Sequence, residues 1–158
     1  MNWQEVCEDP CLQDLPYKIE LNHWGKIEMS PARNRHAILQ GEIQNLIYDV
    51  MTSGKVFPEC PIETEDNVKV ADVVWVSDKR AEIIKDETAS SIAPEICIEV
   101  KSESNTMKEM MFKKDLYLKA GADEFWLCDE SGDMSFYNAE GQLDQSIRFP
   151  DFPKKIDI

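Results

Sequence analysis

Two acids and a lysine stand where apolar residues would be expected. In "VKVADVVWV", Val68 to Val76, Asp72 shares a strand face with Val70, Val74 and Val76 and is the one charged residue from Val70 onward. In "PEICIEVKSES", Pro94 to Ser104, Glu99 and Lys101 lie on one face of a strand and Ile96, Ile98 and Val100 on the other. Two carboxylates brought together repel each other and resist burial, and a divalent cation between them cancels that cost. Oxygen ligation of this kind suits magnesium or manganese better than zinc. A lysine beside Glu99 could orient an attacking water or stabilise charge growing on a phosphate. A further acid, Glu42, lies four residues after Ile38 and four before Leu46, in a helical row expected to face the core. It either reaches the edge of that core or faces a polar site.

The elements that must position these residues are legible in the pattern. Tyr17 to Leu21 and Lys26 to Met29 alternate around Asn22 and Gly25, which predicts a β-hairpin ending near Pro31. From Asn34 to Met51 apolar residues recur at Ile38, Leu39, Ile43, Leu46, Ile47 and Val50, the spacing of an amphipathic helix, with Gly54 as its stop. Val56 to Thr64 is a strand whose prolines place it near a sheet edge. Val70 to Val76 is a strand, and the polar run Ser77 to Ser91 reads as an exposed loop. After "PEICIEVK" comes a helix capped by Ser104 or Asn105, with Gly121 just past its end and Glu109, Lys113 and Tyr117 on one face. "EFWLCD" is a compact central strand with "MSFYN" as its hairpin partner, and a short segment at Lys155 to Ile158 closes the chain. Hairpin, helix, strands, helix, strand and strand add up to an α/β protein with a mixed central sheet flanked by helices.

At 158 residues the chain is expected to form a single domain, 1–158, with residues 1–16 as an N-terminal arm or short helix. No apolar run approaches a membrane span, and "MNWQEVCEDP" lacks the regions of a signal peptide, so a cytoplasmic location is expected. Five scattered cysteines and two histidines argue against a disulfide framework or a zinc site, and Cys97 and Cys128 read as core thiols. The net charge of -14 disfavours a general nucleic-acid coat but leaves room for a local basic patch.

Taken together, "GKIEMSP", "RNRHAILQGEI", "VKVADVVWVS", "APEICIEVKSES" and "KKDLYLKAGADEFWLCD" resemble the Uma-type family of putative restriction endonucleases, within the PD-(D/E)xK nuclease superfamily. The resemblance runs from about Tyr17 to Tyr137 and includes the family's alanine-glycine turn and central tryptophan, here Ala120, Gly121 and Trp126. It implies a restriction-endonuclease-like core. By it, Asp72 takes the place of the first motif acid, Glu99 the second and Lys101 the lysine. Ala71 stands where the motif has proline, a change in backbone shape and not in ligands. Many members lack the lysine, which this chain keeps.

The resemblance further implies a magnesium or manganese ion held by Asp72, Glu99, the main-chain carbonyl of Val100 and, as helix acid, Glu42. Lys113 and Tyr117 match the helix after the motif and would contact phosphate or support the site. His36 is expected to have an ordinary capping or surface role. The activity implied is hydrolysis of DNA phosphodiester bonds by a homodimer. The alternatives are a catalytically silent nuclease-fold module that binds protein partners, and a nuclease acting on RNA or branched DNA. Without the resemblance, Glu99 and Lys101 would read as an exposed cross-strand ion pair and Asp72 as a strand-end turn acid.

Overall fold

Long β-branched and aromatic runs build a six-stranded mixed sheet in the order β3-β4-β5-β6-β7-β8. A computed structural model describes residues 1–31 and 33–158. The strands are β3 (Lys55–Thr64), β4 (Asn67–Val76), β5 (Ile96–Val100), β6 (Glu124–Cys128), β7 (Met134–Asn138) and β8 (Gly141–Leu143). Only β5 and β6 run parallel, joined through α4 (Met107–Lys119); the other neighbours are antiparallel. Strands β5 and β6 are buried throughout, as strands covered on both faces must be.

Strand alternation sends Val73, Trp75, Ile96, Ile98, Val100 and Trp126 to one face, where Leu39, Ile43 and Ile47 of α2 (Asn34–Val50) cover them. Trp126 is wedged there between Phe136 and Phe152, with ring centroids at 5.1 and 4.6 Å. The opposite face carries Val74, Cys97, Phe125 and Leu127 against Met110 and Tyr117 of α4. Cys97 and Cys128 are buried thiols, and burial pushes Cys128 up to about 12. The hairpin of β1 (Tyr17–Leu21) and β2 (Ile27–Pro31) forms a separate two-stranded sheet whose first strand packs on β4. Residues Trp3–Glu8 form α1, and the Trp3 indole N–H donates to the Thr88 carbonyl at 2.9 Å.

Three details depart from the sequence expectation. The run expected as a loop contains α3 (Asp78–Ile84), because the Ser77 side chain caps the Arg80 N–H and Ala81 and Ile84 bury one side. The cap of α4 is Thr106, one residue beyond Asn105. Ile38 is 50% exposed, so the row that contains Glu42 is not the core face of α2. The α2 helix ends at Val50 with Met51 as its cap, before Gly54, which leads into β3; at φ +81 Gly54 faces the Val76 carbonyl and the Trp75 ring so closely that a side chain would collide.

Candidate active site

Asp72 and Glu99 meet where β4 and β5 part. The ladder pairs Val73 with Ile98; one step further, each carboxylate takes a main-chain N–H of the opposite strand. The Val100 N–H donates to Asp72 Oδ2 at 2.8 Å, and the Asp72 N–H donates to Glu99 Oε2 at 3.2 Å. His36 Nε2 lies 3.1 Å from Asp72 Oδ2, and the Tyr117 hydroxyl donates to Glu99 Oε2 at 3.4 Å. One oxygen of each acid is thereby tied to the scaffold. The other two, Asp72 Oδ1 and Glu99 Oε1, converge on the Lys18 ammonium, which stands 3.2 Å from each.

A second ammonium completes the cluster. Lys113 Nζ donates to Glu99 Oε1 at 2.8 Å and to both oxygens of Glu20, at 2.9 and 2.8 Å. Glu20 Oε2 also accepts the Val70 N–H, which fastens β1 across β4. Lys18 and Glu20 occupy alternate positions of β1, so both side chains fall on one strand face. The cluster opens into a cleft of about 620 Å³, walled by residues of the N-terminal segment, β1, the start of α2 and β3.

The environment separates the two acids. Burial would raise Asp72, but the charge of Lys18, the contact with His36 and the Val100 N–H outweigh it and hold the carboxyl well below the usual range. Burial raises Glu99, with Lys113 and Lys18 opposing and the charges of Asp72 and Glu20 adding to it. Burial would lower Lys18, but Asp72, Glu99 and Glu20 together raise it well above an ordinary lysine. The burial that would lower His36 is outweighed by its hydrogen bond to Asp72. Groups pushed apart in this way, at the floor of a cleft, mark a site equipped for charge chemistry.

The residues singled out from sequence are distributed unevenly. Asp72, Glu99, Lys113 and Tyr117 come together, and Val100 lines the same cleft. The Lys101 ammonium is 3.1 Å from Glu130 Oε1 and near the Ser102 carbonyl, in contact with neither Asp72 nor Glu99. Glu42 is exposed, while His36, Gln40 and Gln44 of the same helix line the cleft. Sequence reasoning missed Lys18, Glu20 and the part played by His36. Lys18 and Glu20 carried a usable signal, the same i, i+2 pairing of charges on a strand that singled out Glu99 and Lys101.

The donor set fits a hard divalent cation with few protein ligands. Among the described residues no three His, Cys, Asp or Glu side chains form a ready-made metal cluster. Two converging carboxylate oxygens are nevertheless what magnesium commonly takes from a protein, the remainder being water and substrate oxygens.

The mixed six-stranded sheet with its flanking helices and N-terminal hairpin is a restriction-endonuclease-like α/β core. The family description "Uma2: Putative restriction endonuclease" matches residues 4–153, and the chain belongs to that family. Among solved structures, a "putative nuclease belonging to DUF820" from Anabaena variabilis is similar in fold. It has a TM-score of 0.67 and 22% sequence identity, over 87% of this chain and 79% of that one. A search of curated proteins finds no match.

Proposed function

We propose that the chain is a metal-dependent endonuclease that hydrolyses DNA phosphodiester bonds in the cleft above Asp72 and Glu99. The observation that carries this reading is the convergence of Asp72 Oδ1 and Glu99 Oε1 on one point while their other oxygens are tied to the scaffold. A magnesium or manganese ion held there, with the Val100 carbonyl as a third ligand, would neutralise phosphate charge and activate the attacking water. Asp72 and Glu99 bind and orient. Lys113 holds a positive charge at the floor of the cleft, beside the place of a phosphate oxygen, and Tyr117 fixes the rotamer of Glu99. Lys101 has the motif position by sequence; with its ammonium on Glu130, it serves the reaction only after leaving that partner. Glu42 assists the ion only if its side chain turns inward from the exposed side of α2.

The test is incubation of the full chain with plasmid and oligonucleotide DNA in magnesium or manganese, with a chelator control. Cutting is expected with the metals, and Asp72→Asn or Glu99→Gln should slow it roughly a thousandfold. Undiminished cutting by either variant would overturn the assignment. Single-stranded, branched and RNA substrates in the same assay decide substrate class, and sedimentation of the purified chain tests the proposed homodimer. The net charge of -14 favours a second reading, a silent nuclease-fold module with protein partners, which predicts no cutting of any substrate.

A further inference from the structure

The ammonium of Lys18 bridges the two acids, 3.2 Å from Asp72 Oδ1 and 3.2 Å from Glu99 Oε1, the second of which also accepts from Lys113 at 2.8 Å. We propose that Lys18 is the built-in counter-ion of the acid pair, holds the place of the divalent cation in its absence, and must swing out when the cation binds. This rests on the metal-dependent reading of the same site.

Three observations support the exchange. Two buried carboxylates that both face one another need a positive charge to be stable together, and among the described residues Lys18 is the cation whose ammonium contacts both Asp72 and Glu99. Lys113 reaches only Glu99 of the pair and is anchored on both oxygens of Glu20, so it is placed to stay. Lys18 has somewhere to go. It comes from β1 in the hairpin, outside the six-stranded sheet, and its side chain lines the open cleft. Glu20 Oε2 is already only 3.9 Å from its nitrogen. The ammonium leaves as an ammonium, so no proton is transferred. The divalent ion replaces one unit of charge by two between the same oxygens.

The displaced cation would then border the cleft, beside incoming phosphate, so Lys18 would be both the competitor of the metal and a contact for substrate.

Manganese alone is the probe. Binding to the full-length wild type, Lys18→Met and Lys113→Met is measured by calorimetry and by the electron paramagnetic resonance of free manganese. Lys18→Met is expected to bind roughly tenfold tighter than wild type, the size of effect that follows from removing a competing unit charge at contact distance. Lys113→Met should gain clearly less. Equal or weaker binding by Lys18→Met overturns the proposal, as does an equal gain in both variants. Should Lys18→Met not fold, reductive methylation of the wild type, read by mass spectrometry, keeps the question decidable. Lys18 should be protected without manganese and labelled severalfold more with it, while Lys113 changes little. Manganese binding with no change at Lys18 would sink this inference and leave the metal site standing. No manganese binding by wild type or any folded variant would remove the metal reading and this inference together.

Discussion

Two lysines, Lys113 and Lys101, compete for the role that the motif assigns to one, and the carboxylates beside each decide between them. Lys113 is held against Glu20 and Glu99, both nearly inaccessible, where a fixed charge is felt strongly. Lys101 pairs with Glu130, whose side chain is 39% exposed, and a pair in such a position is worth little to the fold or to a neighbouring site. Lys113→Ala is therefore expected to reduce kcat for DNA cutting by about a hundredfold or more, and Lys101→Ala by less than about tenfold. Parallel single-turnover measurements on the two variants check this. A loss in Lys101→Ala as deep as in Lys113→Ala would show that Lys101 leaves Glu130 when substrate binds, as its place in the motif implies. Asp72 and Glu99 stood out in the sequence because a charge in a β-branched run has no bland explanation once the strand is covered on both sides. Lys18 and His36 did not stand out, because the alternation of Lys18 and Glu20 in a hairpin and a histidine in the first turn of a helix each also have an ordinary solvent-facing reading. Only the packing of β1 and α2 against the end of β4 removes it.

At the scale of elements, apolar periodicity located both hairpin strands, α2, α4 and the sheet strands from β3 to β7 to within a few residues. It failed where a side-chain cap and a small buried patch of Ala81 and Ile84, rather than a long apolar period, set the structure. In Ser77 to Ser91 charged residues outnumber apolar ones, yet Ser77 caps the Arg80 N–H and Arg80 in turn donates to the carbonyls of Ala93 and Gly121. The buried Glu95 closes the same junction by accepting the Ser77 N–H. That junction fixes where β5 begins, and so the register that brings Glu99 opposite Asp72. The rotation of α2 was likewise beyond one sequence: Ile38 and Leu39 are adjacent, and only the sheet determines that Leu39 is buried and Ile38 half exposed, which turns Glu42 outward. Ser77→Ala should cost about 1 kcal/mol through the lost cap, measured as a lower urea midpoint with unchanged slope. A cost of only a few tenths would mean that α3 is held by Ala81 and Ile84 and not by its cap.

For the whole molecule, the question is how a chain with a net charge of -14 approaches a polyanion. Acidic residues spread over its surface repel phosphates, so productive contact must be confined to places where cations are gathered. The cleft is the candidate: Lys18, Arg33 and Lys113 line it together with His36, beside Asp14, Glu59, Asp72 and Glu99, whose charge a bound divalent ion would offset. Neutralising three phosphates releases few counter-ions, so the logarithm of the binding constant should fall with the logarithm of salt concentration with a slope of about -2 to -3. Titration of a labelled oligonucleotide into the Glu99→Gln chain over a range of potassium chloride concentrations measures it, with cutting suppressed. A slope of about -6 or steeper would require phosphate contacts over a wide surface outside the cleft, and would place the nucleic-acid interface elsewhere. A slope near zero would leave phosphate with no part in binding, the behaviour expected if the acidic surface serves a protein partner instead. The intermediate slope is the signature of an acidic protein that admits a short stretch of backbone at one point, the cleft where Lys18 and Lys113 contact two buried acids.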